Sequence, residues 1–207
     1  MSQTPRQTLR ERLEAEADAD INPAVTPDVG IVMGSSSDLP VMREAHRALE
    51  EVGFFEQSTI DEPPAQDRHT YETFIISAHR TPELMMTYGQ TAARRGLSLI
   101  IAGAGGKSAD LPNMTASIAY PLPVIGVPVQ EKSVDSVIGM PTGAPLVAVD
   151  AGKSFNAGLS AAQILAREHG ELADRLREYH DRLQQSVGDV SRDLHESGHE
   201  LFGRRRE

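Results

Sequence analysis

Two short stretches carry most of the reactive chemistry in this 207-residue chain. GSSSD, from Gly34 to Asp38, sets three hydroxyls beside a carboxylate, and SAHRTPE, from Ser77 to Glu83, sets a histidine against an arginine. Hydroxyls and free backbone N–H groups at the start of a helix suit an anion, because the helix dipole and the unpaired donors both favour negative charge. Ser35 and Ser37 are therefore candidate phosphate ligands, while Ser37 or Asp38 serves equally as a plain helix N-cap. Asp38 would repel a phosphate, and its acceptor-only oxygens suit sugar hydroxyls instead. Ser77 and Arg80 would complete the clamp, the guanidinium through its fork of donors. His79 is of the type that takes and gives a proton near neutral pH, although a single histidine after a strand also serves structural ends. Thr81, Pro82 and Glu83 read as an N-cap followed by a first helical turn and need no functional role.

A third stretch, AGAGGKSADLP, invites comparison with nucleotide motifs and fails both of them. A P-loop ending at Gly106, Lys107 and Ser108 needs glycine where Ile101 stands, and a dinucleotide fingerprint from Gly103 needs a small apolar residue where Ser108 stands. ATP- and NAD-dependent chemistry lose their support. The glycines around Ala104, from Gly103 to Gly106, still let the backbone approach a flat ligand. With no cysteine, thiolate nucleophiles, disulfides and Cys-ligated metals drop out together. The remaining histidines (46, 69, 169, 180, 195 and 199) fall on predicted helices, an insertion or the tail. His195 and His199 have a metal-binding spacing but lie in a polar terminal segment that reads as a solvated face. No metal site is expected.

These residues must be positioned by a scaffold, and from Asp28 onward short apolar runs alternate with helical periodicity. Strands are expected at 29–33, 73–77, 97–103, 122–129 and 145–150, with a helix after the first that buries Leu39, Met42, Ala45, Ala48, Leu49 and Val52. Near-continuous apolar strands separated by helices imply a parallel sheet covered on both faces, a three-layer αβα architecture of the α/β class. Such sheets bind ligands beyond the carboxyl ends of their strands, and all three suspicious stretches fall there. Residues 1–27 read as an N-terminal extension outside the main domain, with a short helix marked by Leu9, Leu13, Ala17 and Ile21 and ended by Pro23 and Pro27. Residues 28–169 form the main domain, interrupted by an acidic, proline-bearing surface insertion at 58–72. Residues 170–207 form a helical tail with Leu172, Leu176, Tyr179 and Leu183 at helical spacing, a face suited to packing on the domain or a neighbouring subunit.

The formal charge of −10 argues against a nucleic-acid surface, which needs clustered cations to release counterions. No apolar run approaches the roughly 18 residues of a membrane span, and the charged N-terminus lacks a secretory core, so a cytoplasmic protein is expected. Lys107, Lys132 and Lys153 are the only lysines. Acid excess with scarce lysine suits a salt-rich cytoplasm, where screening shrinks to about 3 Å at about 1 M salt; unfolding on transfer to low salt is the corresponding test.

Taken in order, GIVMGSSSDLPVM, SAHRTPE and IAGAGGKSADLPNM, followed by PLPVIGVPV, GMPTGAP and NAGLSAAQILA, resemble the N5-carboxyaminoimidazole ribonucleotide mutase family of de novo purine biosynthesis, the class I phosphoribosylaminoimidazole carboxylase catalytic subunits. The resemblance spans residues 28–169. It implies a flavodoxin-like fold, a homo-octamer with active sites at subunit contacts, and transfer of a carboxylate from the exocyclic nitrogen to C4 of an aminoimidazole ribonucleotide without metal, ATP or other cofactor. Carried over by motif, Ser35, Ser37, Ser77 and Arg80 hold the phosphate, Asp38 holds the ribose, and His79 is the general acid/base. The loop comprising Gly103, Ala104, Gly105, Gly106, Lys107 and Leu111 covers the imidazole and the migrating carboxylate. Transient contact with the synthetase that makes the labile substrate belongs to the same reading. The chain departs from the family where a loop of two alanines and a histidine before Leu-Pro is replaced by the longer KSAD, which leaves the roles of Lys107 and Asp110 open. Two other readings share the phosphate cradle: the animal-type carboxylase, which uses free CO2 and whose loop lacks the paired glycines, and a ribonucleotide-binding module without chemistry.

Overall fold

A computed structural model describes residues 4–19, 26–57 and 68–202. The apolar runs form an all-parallel sheet of β1 (Val29–Met33), β2 (Phe55–Glu56), β3 (Thr70–Ile75), β4 (Leu99–Ala104), β5 (Val124–Pro128) and β6 (Val147–Ala148), in the order β2-β3-β1-β4-β5-β6. Every residue of β1, β4 and β5 is buried, because helices cover both faces and leave no side for water. The expected three-layer, flavodoxin-like α/β fold is what forms.

Strand alternation divides the core in two. Ile31, Met33 and Ile101 point to the layer of α2 (Leu39–Glu51), α6 (Ser154–Leu165) and the start of α7 (Gly170–Ser197), where they meet Met42, Leu49 and Leu172. Val32, Ile100 and Ala102 point to the layer of α1 (Pro5–Asp18), α3 (Pro82–Ala92) and α4 (Leu111–Ile118), where they meet Leu13, Leu84 and Tyr88. The short α5 (Val134–Ile138) follows β5 and buries Val137 against this second layer.

Several strand boundaries differ from the sequence expectation, and that of β3 matters most. The segment 58–72 ends in strand: β3 begins at Thr70, and Thr70, Tyr71 and Glu72 are buried polar positions that look like surface in the sequence. Each has an internal partner, which is what permits burial. Thr70 Oγ1 donates to Gln57 Oε1 at 2.8 Å, the Tyr71 hydroxyl to Glu50 Oε1 at 2.8 Å, and Glu72 pairs with Arg95. Residues 58–67 of that segment and Ile21 of the N-terminal pattern lie outside the described residues.

The N-terminal helix is not external to the fold. Thr4 and Gln7 form a capping box around Pro5 that starts α1, and the helix lies on α3 with Leu13 fully buried. One turn further, Glu16 is buried beside Arg95, which also forks onto Glu72. At the other end α7 is one 28-residue helix whose first turns, through Leu172, Leu176 and Tyr179, belong to the core. Among the described residues no helix is long and apolar enough to cross a membrane.

Candidate functional site

Loops at the carboxyl ends of β1, β3, β4 and β5 surround a cleft of about 450 Å³. β1 lies between β3 and β4, so the strand order reverses there, and the loops leaving the sheet at that point open a crevice. Ser35, Ser37 and Asp38 enter it from β1, Ser77, His79 and Arg80 from β3, Ala104, Gly105, Gly106, Asp110 and Leu111 from β4, and Gln130 and Lys132 from β5.

The serine stretch resolves its own ambiguity. Ser35 Oγ accepts the Ser37 N–H at 3.3 Å and so caps a single 3-10 turn, Ser36–Asp38, that runs into α2. Asp38 stands at the start of α2 but makes no side-chain capping bond, so its carboxylate is released from that duty. The second stretch is tied to the first, because Arg80 Nη2 donates to Gly34 O at 3.1 Å and Nε to Ser77 Oγ at 3.2 Å. Thr81 does not cap α3 through its side chain as expected. Its hydroxyl donates to Ser77 O at 3.1 Å and accepts the Ser77 N–H at 3.0 Å, closing a tight turn that presents His79 and Arg80 to the cleft.

His79 Nε2 lies 3.0 Å from Asp110 Oδ2. The other oxygen, Asp110 Oδ1, accepts the Ser136 hydroxyl at 2.9 Å, and Asn113 Nδ2 donates to the Ser136 carbonyl at 2.6 Å. The departing KSAD loop thus supplies a carboxylate that holds the imidazole and is itself held from α5.

Two carried-over residues do not line the cleft. Gly103 is buried in β4, where a Cβ would stand 2.1 Å from Met42 Sδ, so its small size serves packing rather than ligand approach. Lys107 is exposed and is not among the lining residues, and the lysine in the cleft is Lys132. Gly106, at φ +86°, takes a left-handed conformation that lets the loop turn back over the cleft. Gln130, Lys132 and Ser108 are lining residues that the motif reading missed. The rule that ligands gather at strand ends points to the first two, since they directly follow β5.

Asp38 is only 5% exposed, and burial raises its carboxyl pKa; the facing N–H groups of Ser35 and Gly105 and the Arg80 charge oppose that shift without cancelling it. A carboxyl whose pKa is higher in the folded chain contributes most to stability at acid pH, and that contribution falls as pH rises from the ordinary carboxylate value through the raised one. Asp38→Asn, which stays neutral, escapes this loss. Its melting temperature relative to the parent should climb between about pH 4 and pH 7. A flat difference across that range in matched melts would remove Asp38 as a strained ionisable group. Charge held under strain in a cleft is characteristic of functional positions.

Away from the cleft, histidines that lie far apart in the sequence meet in space. Tertiary structure brings His69, His169 and Glu171 together, with ligand atoms within 4.8 Å of one another. Chain separation conceals this cluster from motif reading.

The AIR carboxylase family model matches residues 28–186, from just before β1 well into α7, and leaves α1 outside. The N5-carboxyaminoimidazole ribonucleotide mutase of Thermotoga maritima is 42% identical over 182 residues, covering 85% of this chain and 96% of that protein. The protein of the same name from Synechocystis is 44% identical over 183 residues, covering 86% and 94%. Among solved structures, Treponema denticola PurE superposes with a TM-score of 0.64 at 26% identity, over 81% of this chain and 98% of that one.

Proposed function

The chain belongs to the AIR carboxylase family, and from that premise we propose that it converts N5-carboxyaminoimidazole ribonucleotide to 4-carboxy-5-aminoimidazole ribonucleotide, an isomerisation in purine biosynthesis. The observation that carries this reading is the meeting of a hydroxyl and guanidinium cradle with a carboxylate-held histidine in one cleft.

In this reading Ser35, Ser37, Ser77 and Arg80 bind the phosphate with the start of the Ser36–Asp38 turn, and Asp38 accepts from the ribose hydroxyls. The base lies against Ala104, Gly105 and Gly106. The carbamate C–N bond breaks, its electron pair returns to the nitrogen, which takes one proton, and CO2 stays in the cleft. C4 of the electron-rich imidazole then attacks the CO2 carbon and loses its own proton to restore aromaticity. One proton is gained and one lost, so a single acid/base suffices, and His79 fills that role. Asp110 acts through His79 by holding its Nε2, which leaves Nδ1 for the substrate. Lys132 offers a cation to the migrating carboxylate. Containment of CO2 is a matter of position and exclusion of water.

The deciding experiment compares synthetic N5-carboxyaminoimidazole ribonucleotide in CO2-depleted buffer with aminoimidazole ribonucleotide plus bicarbonate. Rapid product formation from the first alone is expected. Conversion of the second alone would replace the reading with direct carboxylation, and conversion of neither would leave a binding module. The proposal includes a cytoplasmic homo-octamer in transient contact with the carboxylating synthetase. Exposed Met86, Met114 and Tyr120, on and after adjacent helices α3 and α4, support assembly. Light scattering on the same preparation should give the octamer mass, and a monomer would refute it.

A further inference from the structure

The amino ends of β1 and β3, at the far end of the sheet from the cleft, meet the junction between α6 and α7. We propose that His69, His169 and Glu171 form there a binding site for a divalent transition ion of the zinc type, a staple between the sheet and α7 that is separate from the catalytic chemistry.

The donor atoms are already close to the required spacing. His69 Nε2 lies 3.3 Å from Glu171 Oε1, and His169 Nδ1 lies 3.9 Å from the same oxygen. Bonds of about 2.0–2.2 Å to a tetrahedral ion place its ligand atoms roughly 3.3–3.6 Å apart, and with all three donors within 4.8 Å of one another side-chain rotations complete the set. Three protein ligands leave the fourth position to water on the exposed side, where His169 and Glu171 face solvent. Two imidazoles and one carboxylate select zinc, cobalt or nickel over calcium or magnesium, which prefer oxygen alone.

The surroundings of His69 are those of a metal ligand. Its Nδ1 faces Asp28 Oδ2 at 3.4 Å, and that oxygen also accepts the Thr70 N–H at 2.8 Å, so the orienting carboxylate is itself fixed. A ligating histidine characteristically gives its second nitrogen to such a group, which sets the tautomer and ring direction. Phe54 stacks on the ring at 5.1 Å, and His169 meets it edge-on at 4.6 Å. A bound ion takes the Nε2 lone pair of the neutral ring, whose one proton then sits on Nδ1 and is donated to Asp28 Oδ2. The competing account is an ion pair in which protonated His69 bridges Asp28 and Glu171; that account has no use for His169.

The test uses the full chain, stripped with chelator and dialysed, and titrated with zinc by calorimetry and with cobalt by visible absorption. To remove the tail pair as a competing chelator, the same titrations are run on the His195→Ala, His199→Ala double variant. Expected are one equivalent per chain in both proteins, a tetrahedral cobalt spectrum, and a rise in melting temperature of roughly 5–10 °C at a hundredfold excess of zinc over Kd. Magnesium should produce none of this. Half-exposed His169 can be replaced without disturbing the core, and His169→Ala should weaken zinc binding by about 100-fold or more with turnover unchanged; Asp28→Asn should weaken it by roughly 10–100-fold. Zinc binding that survives in His169→Ala, or that vanishes only in the tail double variant, would overturn the site, as would a parent chain that binds no zinc.

Discussion

Replacing His79 with asparagine is expected to lower turnover by about 10²–10⁴-fold while leaving ribonucleotide affinity nearly unchanged. Asparagine keeps a planar polar group of similar reach but cannot carry a proton between the exocyclic nitrogen and C4. The proposed phosphate cradle does not depend on His79, because Arg80 is anchored on Gly34 and Ser77. The loss should therefore fall on kcat and not on KM. Asp110→Asn separates positioning from chemistry. The amide preserves the size of the side chain but offers one acceptor oxygen where the carboxylate used two, for His79 and for Ser136. Turnover should fall by roughly 10–100-fold, again in kcat, and Ser136→Ala should lie between this variant and the parent. Turnover of the asparagine variant at position 79 that matched the parent would remove His79 as the acid/base. If Asp110→Asn raised KM alone, Asp110 would be a substrate ligand rather than the group that orients the imidazole.

What was legible in the sequence follows from how local each feature is. β1, β4 and β5 announce themselves because a strand buried on both faces is apolar at every position. GSSSD and SAHR could be placed at strand ends because each motif abuts its strand in the chain. The beginning of β3 was hidden, since Thr70, Tyr71 and Glu72 are polar and become core-compatible only through Gln57, Glu50 and Arg95, distant partners that no local pattern reveals. The partner of His79 was hidden in the same way: Asp110 stood out as a departure in the loop, but its distance to the imidazole depends on how far Gly106 turns that loop back. Lys107 adjoins the glycines in the chain, whereas Lys132 comes to the cleft because the sheet order places the loop after β5 beside the one after β4. The cluster of His69, His169 and Glu171 is the extreme case, assembled wholly by the packing of α7 on the amino end of the sheet.

The largest expected effect on stability lies in the buried charges that join α1 to the sheet. Arg95 is 3% exposed, forks onto Glu72, reaches Glu16 at 3.3 Å, and lies over the Tyr88 ring at 5.1 Å. Burial pushes the Glu72 carboxyl pKa up, and the Arg95 charge is the chief force holding it down. Arg95→Met keeps the length and the packing over Tyr88 but leaves Glu72 with an uncompensated buried charge, a change that costs about 3–5 kcal/mol. For a chain of this size that is a fall in melting temperature of roughly 6–20 °C near neutral pH. Without the arginine, the Glu72 pKa rises further, and the stability it contributes falls as pH rises from the ordinary carboxylate value through that raised one. The deficit of Arg95→Met should therefore narrow toward acid pH. Adding Glu72→Gln removes the orphaned charge, so the double variant should be more stable than Arg95→Met alone, with a coupling of opposite sign to simple addition. Calorimetric melts of the three variants would show this directly. A loss below about 1 kcal/mol for Arg95→Met, the range of an exposed pair, would mean that the charges are solvated and that α1 is held by Leu13 and its apolar neighbours instead.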